Sequence, residues 1–237
     1  MPSSSVLRPA LDVARLVRET VDNGASIAFD IIAHDFYGRL EREVSAGPFQ
    51  PMAEEQGRAR QGGEIFRTTY RSSAYPHVRQ LGEQLVRVLH ESSGSVEGVS
   101  EWLPNEVDVQ RYHALALGIT PHLDLKRYRV LIAIVTVGHS APFSLCKDRE
   151  GTVSEQWQAE PGSLVLLRAP GLGGAEDGRP LHAVGGPPVG TRISITWRMN
   201  CGLLQGTYDL RLTNSGFSRR SDGTANRRHQ RGNSRGE

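Results

Sequence analysis

From about residue 103 to 200 the apolar positions fall at two-residue intervals or in short unbroken runs, whereas before residue 100 they fall three and four apart. The segment Arg192-Ile193-Ser194-Ile195-Thr196-Trp197-Arg198 shows the two-residue pattern without a break. Successive side chains of a strand point to opposite faces, so Arg192, Ser194, Thr196 and Arg198 share one face and Ile193, Ile195 and Trp197 the other. Residues 131–137 are apolar at both parities and predict a central strand covered on both sides. The clearest strand segments are 106–113, 129–137, 163–168 and 192–199, with weaker ones near Phe143, Trp157 and His182. Turns at Gly118, Gly138, Pro161-Gly162 and Gly185-Gly186 separate them. Short strands recurring roughly every 8–12 residues predict a sandwich or barrel-like roll.

The earlier part reads mainly helical. Leu11, Ala14, Val17 and Val21 form one apolar stripe over residues 10–21, and Phe36, Leu40 and Val44 suggest a second helix. The strongest helical pattern runs over 77–91, with Val78, Leu81, Leu85, Val88 and Leu89. Between these, residues 56–72 are polar, carry glycine and are rich in arginine, a pattern expected of a long loop or ribbon serving as a lid. Tyr70, Arg67 and Arg71 would then line its pocket, and arginine there suits an anionic substrate group. The expected organisation is one α+β domain over 1–217, with a helical part at 1–100 and a strand-built core at 103–200. Residues 218–237 have Ala225 as their sole apolar residue and are expected to be disordered.

Composition narrows the class. The chain has 237 residues, 38% hydrophobic and 23% charged, which suits a soluble globular domain. No apolar run reaches the roughly 18 residues that span a bilayer, and residues 1–10 show no leader pattern, so a cytoplasmic protein is expected. In 218–237 six arginines stand against Asp222 and Glu237, a local charge of +4; the overall +2 therefore leaves −2 on residues 1–217. A basic surface for nucleic acid is not supplied by the folded body. Cys146 and Cys201 stand far apart with no third cysteine, which argues for reduced thiols rather than a zinc or disulfide framework.

The candidate chemistry starts at Ile119-Thr120-Pro121-His122-Leu123-Asp124. On a strand, His122 and Asp124 project from one face, and His182 offers a second imidazole. Two imidazoles and a carboxylate leave coordination positions open and suit non-haem iron(II). An H-x-D pair alone is common. Arg192, on the polar face of its strand, adds a second signal, because a guanidinium inside a roll requires an anionic partner. No acidic residue stands nearby in sequence to serve, so a dicarboxylate such as 2-oxoglutarate is the attractive candidate.

H-x-D, a distal His and R-x-S about ten residues on together resemble the 2-oxoglutarate/iron(II) oxygenase superfamily. Gln110-Arg111-Tyr112 resembles the N-R-Y strand of its AlkB-like subgroup, and Arg192 with Arg198 resembles that subgroup's paired arginines. The resemblance covers about residues 105–200. It implies a double-stranded β-helix (jelly-roll) core with the N-terminal helices packed on it. It also implies iron(II) held by His122, Asp124 and His182, with 2-oxoglutarate and O2 as co-substrates. Arg192 would bind the distal carboxylate of 2-oxoglutarate, helped by Ser194, Tyr112 and Gln110, and Arg198 the carboxylate nearer the iron. The expected reaction is hydroxylation, desaturation or demethylation of a small molecule. Nucleic-acid demethylation stays open but is disfavoured by the acidic body, by Lys126 two residues after Asp124, and by an aromatic content of 6%. A non-catalytic metal-binding roll is the third reading.

Overall fold

Two of the three α-helices among the described residues begin where a carboxylate accepts from their first amides. The computed structural model describes residues 5–92 and 96–203; the stretch 218–237 and the expected domain end at 217 lie outside the described residues. Helix α1 spans Val13–Asn23 rather than starting at residue 10, because Asp12 caps it by accepting from the Arg15 amide at 2.9 Å. Gly24, at φ 85°, closes it in the left-handed conformation that glycine adopts without penalty. Helix α2 is His34–Ser45 and α3 is Pro76–Ser92. Glu43 of α2 accepts from the His77 and Val78 amides at 2.9–3.0 Å, so one helix caps the next. No helix among the described residues is long and apolar enough to cross a membrane.

The strands are β1 (Ala25–Ala28), β2 (Gln50–Pro51), β3 (Glu55–Gln56), β4 (Ala59–Gly62), β5 (Glu64–Thr68), β6 (Glu106–His113) and β7 (Gly118–His122). They continue with β8 (Tyr128–Gly138), β9 (Ala141–Cys146), β10 (Val153–Ala159), β11 (Leu164–Arg168), β12 (His182–Val184) and β13 (Thr191–Asn200). Their antiparallel pairings build two sheets, one in the order β1-β11-β8-β13-β6-β5-β2 and the other β10-β9-β12-β7-β4-β3. The helices cover one face of the seven-stranded sheet, where Ile193, Ile195 and Trp197 join Val17, Phe36, Leu81 and Leu85 in the larger core. The opposite face meets the second sheet through Tyr112, Ile132, Ile134 and Phe143. Strand β8 supplies both cores, which is why its sequence is apolar at both parities, and it lies inside the sheet between β11 and β13.

Two expectations about the first hundred residues need correction. This part is not only helical: it contributes β1 to β5, none longer than five residues and so too short to display a period. Residues 56–72 do not form a lid. Strand β4 pairs with β7 and β5 pairs with β6, so the segment is a ribbon stitched into both sheets. The crossing needs glycine at 63, where an added Cβ would lie 2.7 Å from the Arg111 carbonyl oxygen and 2.9 Å from the Tyr112 ring. Tyr70 accordingly packs in the helix-side core rather than beside a pocket, and Arg71 is exposed.

Candidate metal centre

Pairing of β7 with β12 sets His182 directly opposite His122, and their ring centroids lie 4.3 Å apart. Close approach of the two strands is permitted at Gly118, where φ is 74° and a Cβ would meet the Val184 carbonyl oxygen at 1.9 Å. Each imidazole is oriented by a backbone carbonyl two residues earlier in the chain. Nδ1 of His122 donates to the Thr120 oxygen at 2.9 Å, and Nδ1 of His182 to the Pro180 oxygen at 3.1 Å. Both Nε2 lone pairs are thereby free to hold a metal, the arrangement usual for ligating histidines. Phe143 stacks on the buried His182 ring at 5.5 Å and 10°.

Strand β7 ends at His122, so Asp124 belongs to the following loop and not to a strand as the sequence suggested. That loop is held from outside: Arg179 Nη1 donates to the Asp124 carbonyl oxygen, and Asp177 fixes the Arg179 guanidinium with contacts of 2.8 and 3.0 Å. The Asp124 carboxylate consequently reaches the histidines. Its Oδ2 lies 3.5 Å from His182 Nε2 and its Oδ1 3.8 Å from Arg198 Nε. One ligand atom from each of His122, Asp124 and His182 falls within 4.8 Å of the others, a set able to hold one metal ion.

Protonation favours that use. Burial, reinforced by the neighbouring His182, pushes His122 down to about 4, so its ring is neutral near pH 7. Burial acts to raise the Asp124 carboxyl, but His182, Arg198, His122 and Arg179 outweigh it and hold the group below the ordinary carboxylate value.

The polar face of β13 runs away from this centre in rows across the sheet. Arg198 pairs with Glu106, Thr196 with Asp108, Ser194 with Gln110, and Arg192 with Tyr112. The charge of Arg198 is met by carboxylates, with Asp108 at 2.6 Å, Glu106 at 3.7 Å and Asp124 at 3.8 Å, although its buried Nε makes no hydrogen bond. Burial alone would lower its pKa, but these partners raise it. Among the described residues Arg192, 0% exposed, has no carboxylate in reach; it makes a 3.4 Å contact to the Thr136 hydroxyl. Its Nε and Nη1, the Tyr112 hydroxyl, Ser194 Oγ and Thr196 Oγ1 are all buried and unpaired. Burial pushes the Arg192 guanidinium down to about 10 and the Tyr112 phenol well above its usual value. Buried polar groups left unpaired in such a row mark a site for a complementary ligand, here an anion. Gln110 points its amide at Met52 Sδ, 3.8 Å away, on the edge of this row.

Asp108 and Glu106 escape the sequence reading although the signal is present. Glu106 and Asp108 share their face with Gln110 and Tyr112, two residues apart each time. Arg179 and Asp177 lie in an irregular loop and left no periodic signal.

No protein-family model and no curated protein matches the chain. Among solved structures, a Pseudomonas putida prolyl-4-hydroxylase superposes with a TM-score of 0.55 at 19% identity, covering 79% of this chain and 98% of that one. A Trichoplax adhaerens prolyl hydroxylase in complex with a hypoxia inducible factor peptide fragment gives 0.56 at 14% identity, covering 79% and 89%. A 2OG-Fe(II) oxygenase family oxidoreductase from Burkholderia pseudomallei gives 0.54 at 13% identity, covering 81% and 91%. The fold expectation is met: the strands form the jelly-roll core of these oxygenases.

Proposed function

We propose that the protein is an iron(II)- and 2-oxoglutarate-dependent oxygenase of AlkB-like type, located in the cytoplasm, that hydroxylates a small molecule or carries out the related desaturation or demethylation. The observation that carries this reading is a fully buried Arg192 with no carboxylate partner among the described residues, on a strand whose other end touches the His122, Asp124 and His182 cluster. His122 and His182 would hold iron through Nε2, and Asp124 through Oδ2, because its Oδ1 faces Arg198. Arg192, Ser194 and the Tyr112 hydroxyl would bind the distal carboxylate of 2-oxoglutarate, with Gln110 beside them. When bound, iron(II), 2-oxoglutarate and O2 supply a two-electron oxidation of a substrate C–H bond, with decarboxylation of 2-oxoglutarate to succinate.

The chain's own residues bind and orient. The raised Tyr112 phenol keeps its proton and would donate a hydrogen bond to the bound carboxylate. Arg198 restrains one oxygen of Asp124, and Phe143 fixes the plane of His182. Anaerobic addition of iron(II) and 2-oxoglutarate should produce the visible charge-transfer band of the chelate. Arg192→Met should abolish it at the same 2-oxoglutarate concentration. Absence of the band with iron demonstrably bound to the natural protein would favour a non-catalytic metal-binding roll.

Peptidyl hydroxylation is a second reading, favoured by the prolyl hydroxylases among the structural neighbours, one of them in complex with a peptide. Succinate release across metabolites, proline-containing peptides and methylated oligonucleotides separates this reading, the preferred one and AlkB-type nucleic-acid demethylation.

A further inference from the structure

Three arginines stand on the inner face of the seven-stranded sheet among the described residues: Arg192, Arg198 and Arg67. The first two are buried and their roles follow from their partners. Arg67 is different. Strand β5 places it directly across from Asp108, which is itself across from Thr196, so it lies in a row next to that of Arg198. Its Nε contacts Asp108 Oδ1 at 3.1 Å, while Arg198 Nη1 takes the other oxygen of the same carboxylate at 2.6 Å. Asp108 therefore bridges a buried arginine and an exposed one, each of its oxygens facing a different guanidinium.

The side chain of Arg67 is 61% exposed and that of Asp108 6%. The contact to Asp108 is made through Nε and leaves the Nη1/Nη2 edge without a hydrogen bond among the described residues. That edge carries two parallel N–H groups, the geometry that receives a carboxylate or phosphate bidentately. Ile65, two residues away on the same face, and Met52 beside Gln110 supply an apolar flank. An ordinary surface ion pair has both partners in solvent and little geometric definition. Here one partner is buried and shared with the residue that touches a metal ligand.

We infer that Arg67 is a specificity-determining residue that engages an anionic group, carboxylate or phosphate, of a small-molecule substrate, with Asp108 as the positioning residue that orients it. This rests on the oxygenase reading, and the experiment keeps the two separable. The protein is loaded with manganese(II) and N-oxalylglycine, which replaces 2-oxoglutarate without turnover. Calorimetry then measures binding of benzoate, phenylacetate and phenyl phosphate, the first two against their neutral methyl esters and the third against its neutral dimethyl ester. At least one acid should bind about tenfold more tightly than its neutral counterpart. Arg67→Gln should erase that preference, Arg67→Lys should retain part of it, and N-oxalylglycine binding should be the same in all three proteins. Which acid binds, carboxylate or phosphate monoester, identifies the source of the anion. The inference is overturned if no acid outcompetes its neutral counterpart or if the preference survives in Arg67→Gln. Failure of manganese or N-oxalylglycine to bind would instead remove the oxygenase reading.

Discussion

Arg192 and Arg198 occupy one face of one strand, six residues apart, and the protein treats them in opposite ways. Arg198 is enclosed by Asp108, Glu106 and Asp124, and its charge is held more firmly than in water. Arg192 is equally buried with no counter-charge, and its proton is held less firmly. The first arrangement completes the folded protein. The second is incomplete without a ligand, since an isolated buried charge is expensive to keep. Burial alone thus does not distinguish a structural arginine from a binding one; the census of carboxylates within reach does.

Four measurements would break or sharpen this contrast. Arg198→Met removes the partner of buried carboxylates and should lower unfolding stability by about 3–5 kcal/mol in denaturant titrations. Arg192→Met should leave stability unchanged or raise it, because it removes an uncompensated charge. The same change should weaken 2-oxoglutarate binding by about 100-fold, as expected for loss of roughly 3 kcal/mol of charged hydrogen bonds. A large loss of stability in Arg192→Met would end the distinction. Metal with 2-oxoglutarate at about 100 times its dissociation constant should stabilise the natural protein by about 2.7 kcal/mol. Arg192→Met should lose that increment and Arg67→Gln should keep it.

The smallest effect belongs to an ion pair on the other face of the sheet. Glu64 meets Arg111 at 2.7 Å with both side chains partly exposed, so Arg111→Met should cost about 0–1 kcal/mol. Arg111 holds the Glu64 carboxyl below its ordinary value of 4.5 against the opposing effect of burial, with weaker help from His113. A carboxyl depressed in the folded state stabilises above its unfolded pKa, so this contribution should be complete above pH 4.5 and fade as the pH falls below it. A stability gain from Glu64 on acidification would contradict that sign.

Most of the roll was legible in sequence because its strands are long enough to show a period. The 106–113 segment coincides with β6, and β8 and β13 extend their expected segments by one residue at each end. The segment 56–72 was legible only as a loop or ribbon, and its stitching into both sheets was not, since its strands are two to five residues long and their partners lie in distant parts of the chain. At the site, alternation placed Arg192, Ser194 and Tyr112 on the inner face, where the coordinates have them. It misjudged Asp124, because a two-residue spacing looks the same on a strand and on a loop pinned by Arg179. The partners of Arg198 stayed hidden for another reason: Asp108 is ninety positions away in the chain and adjacent only through sheet register.

The pairing of His122 with His182 has a kinetic corollary. Sixty positions of chain separate the two rings, and they meet only after β12 has docked between β7 and β9. Contacts of such high sequence separation form late in the folding of a β-rich chain, after loop-closure entropy has been overcome. Metal uptake should therefore trail the recovery of tryptophan fluorescence in refolding, acting as a clock for the last step of assembly rather than a seed for the first.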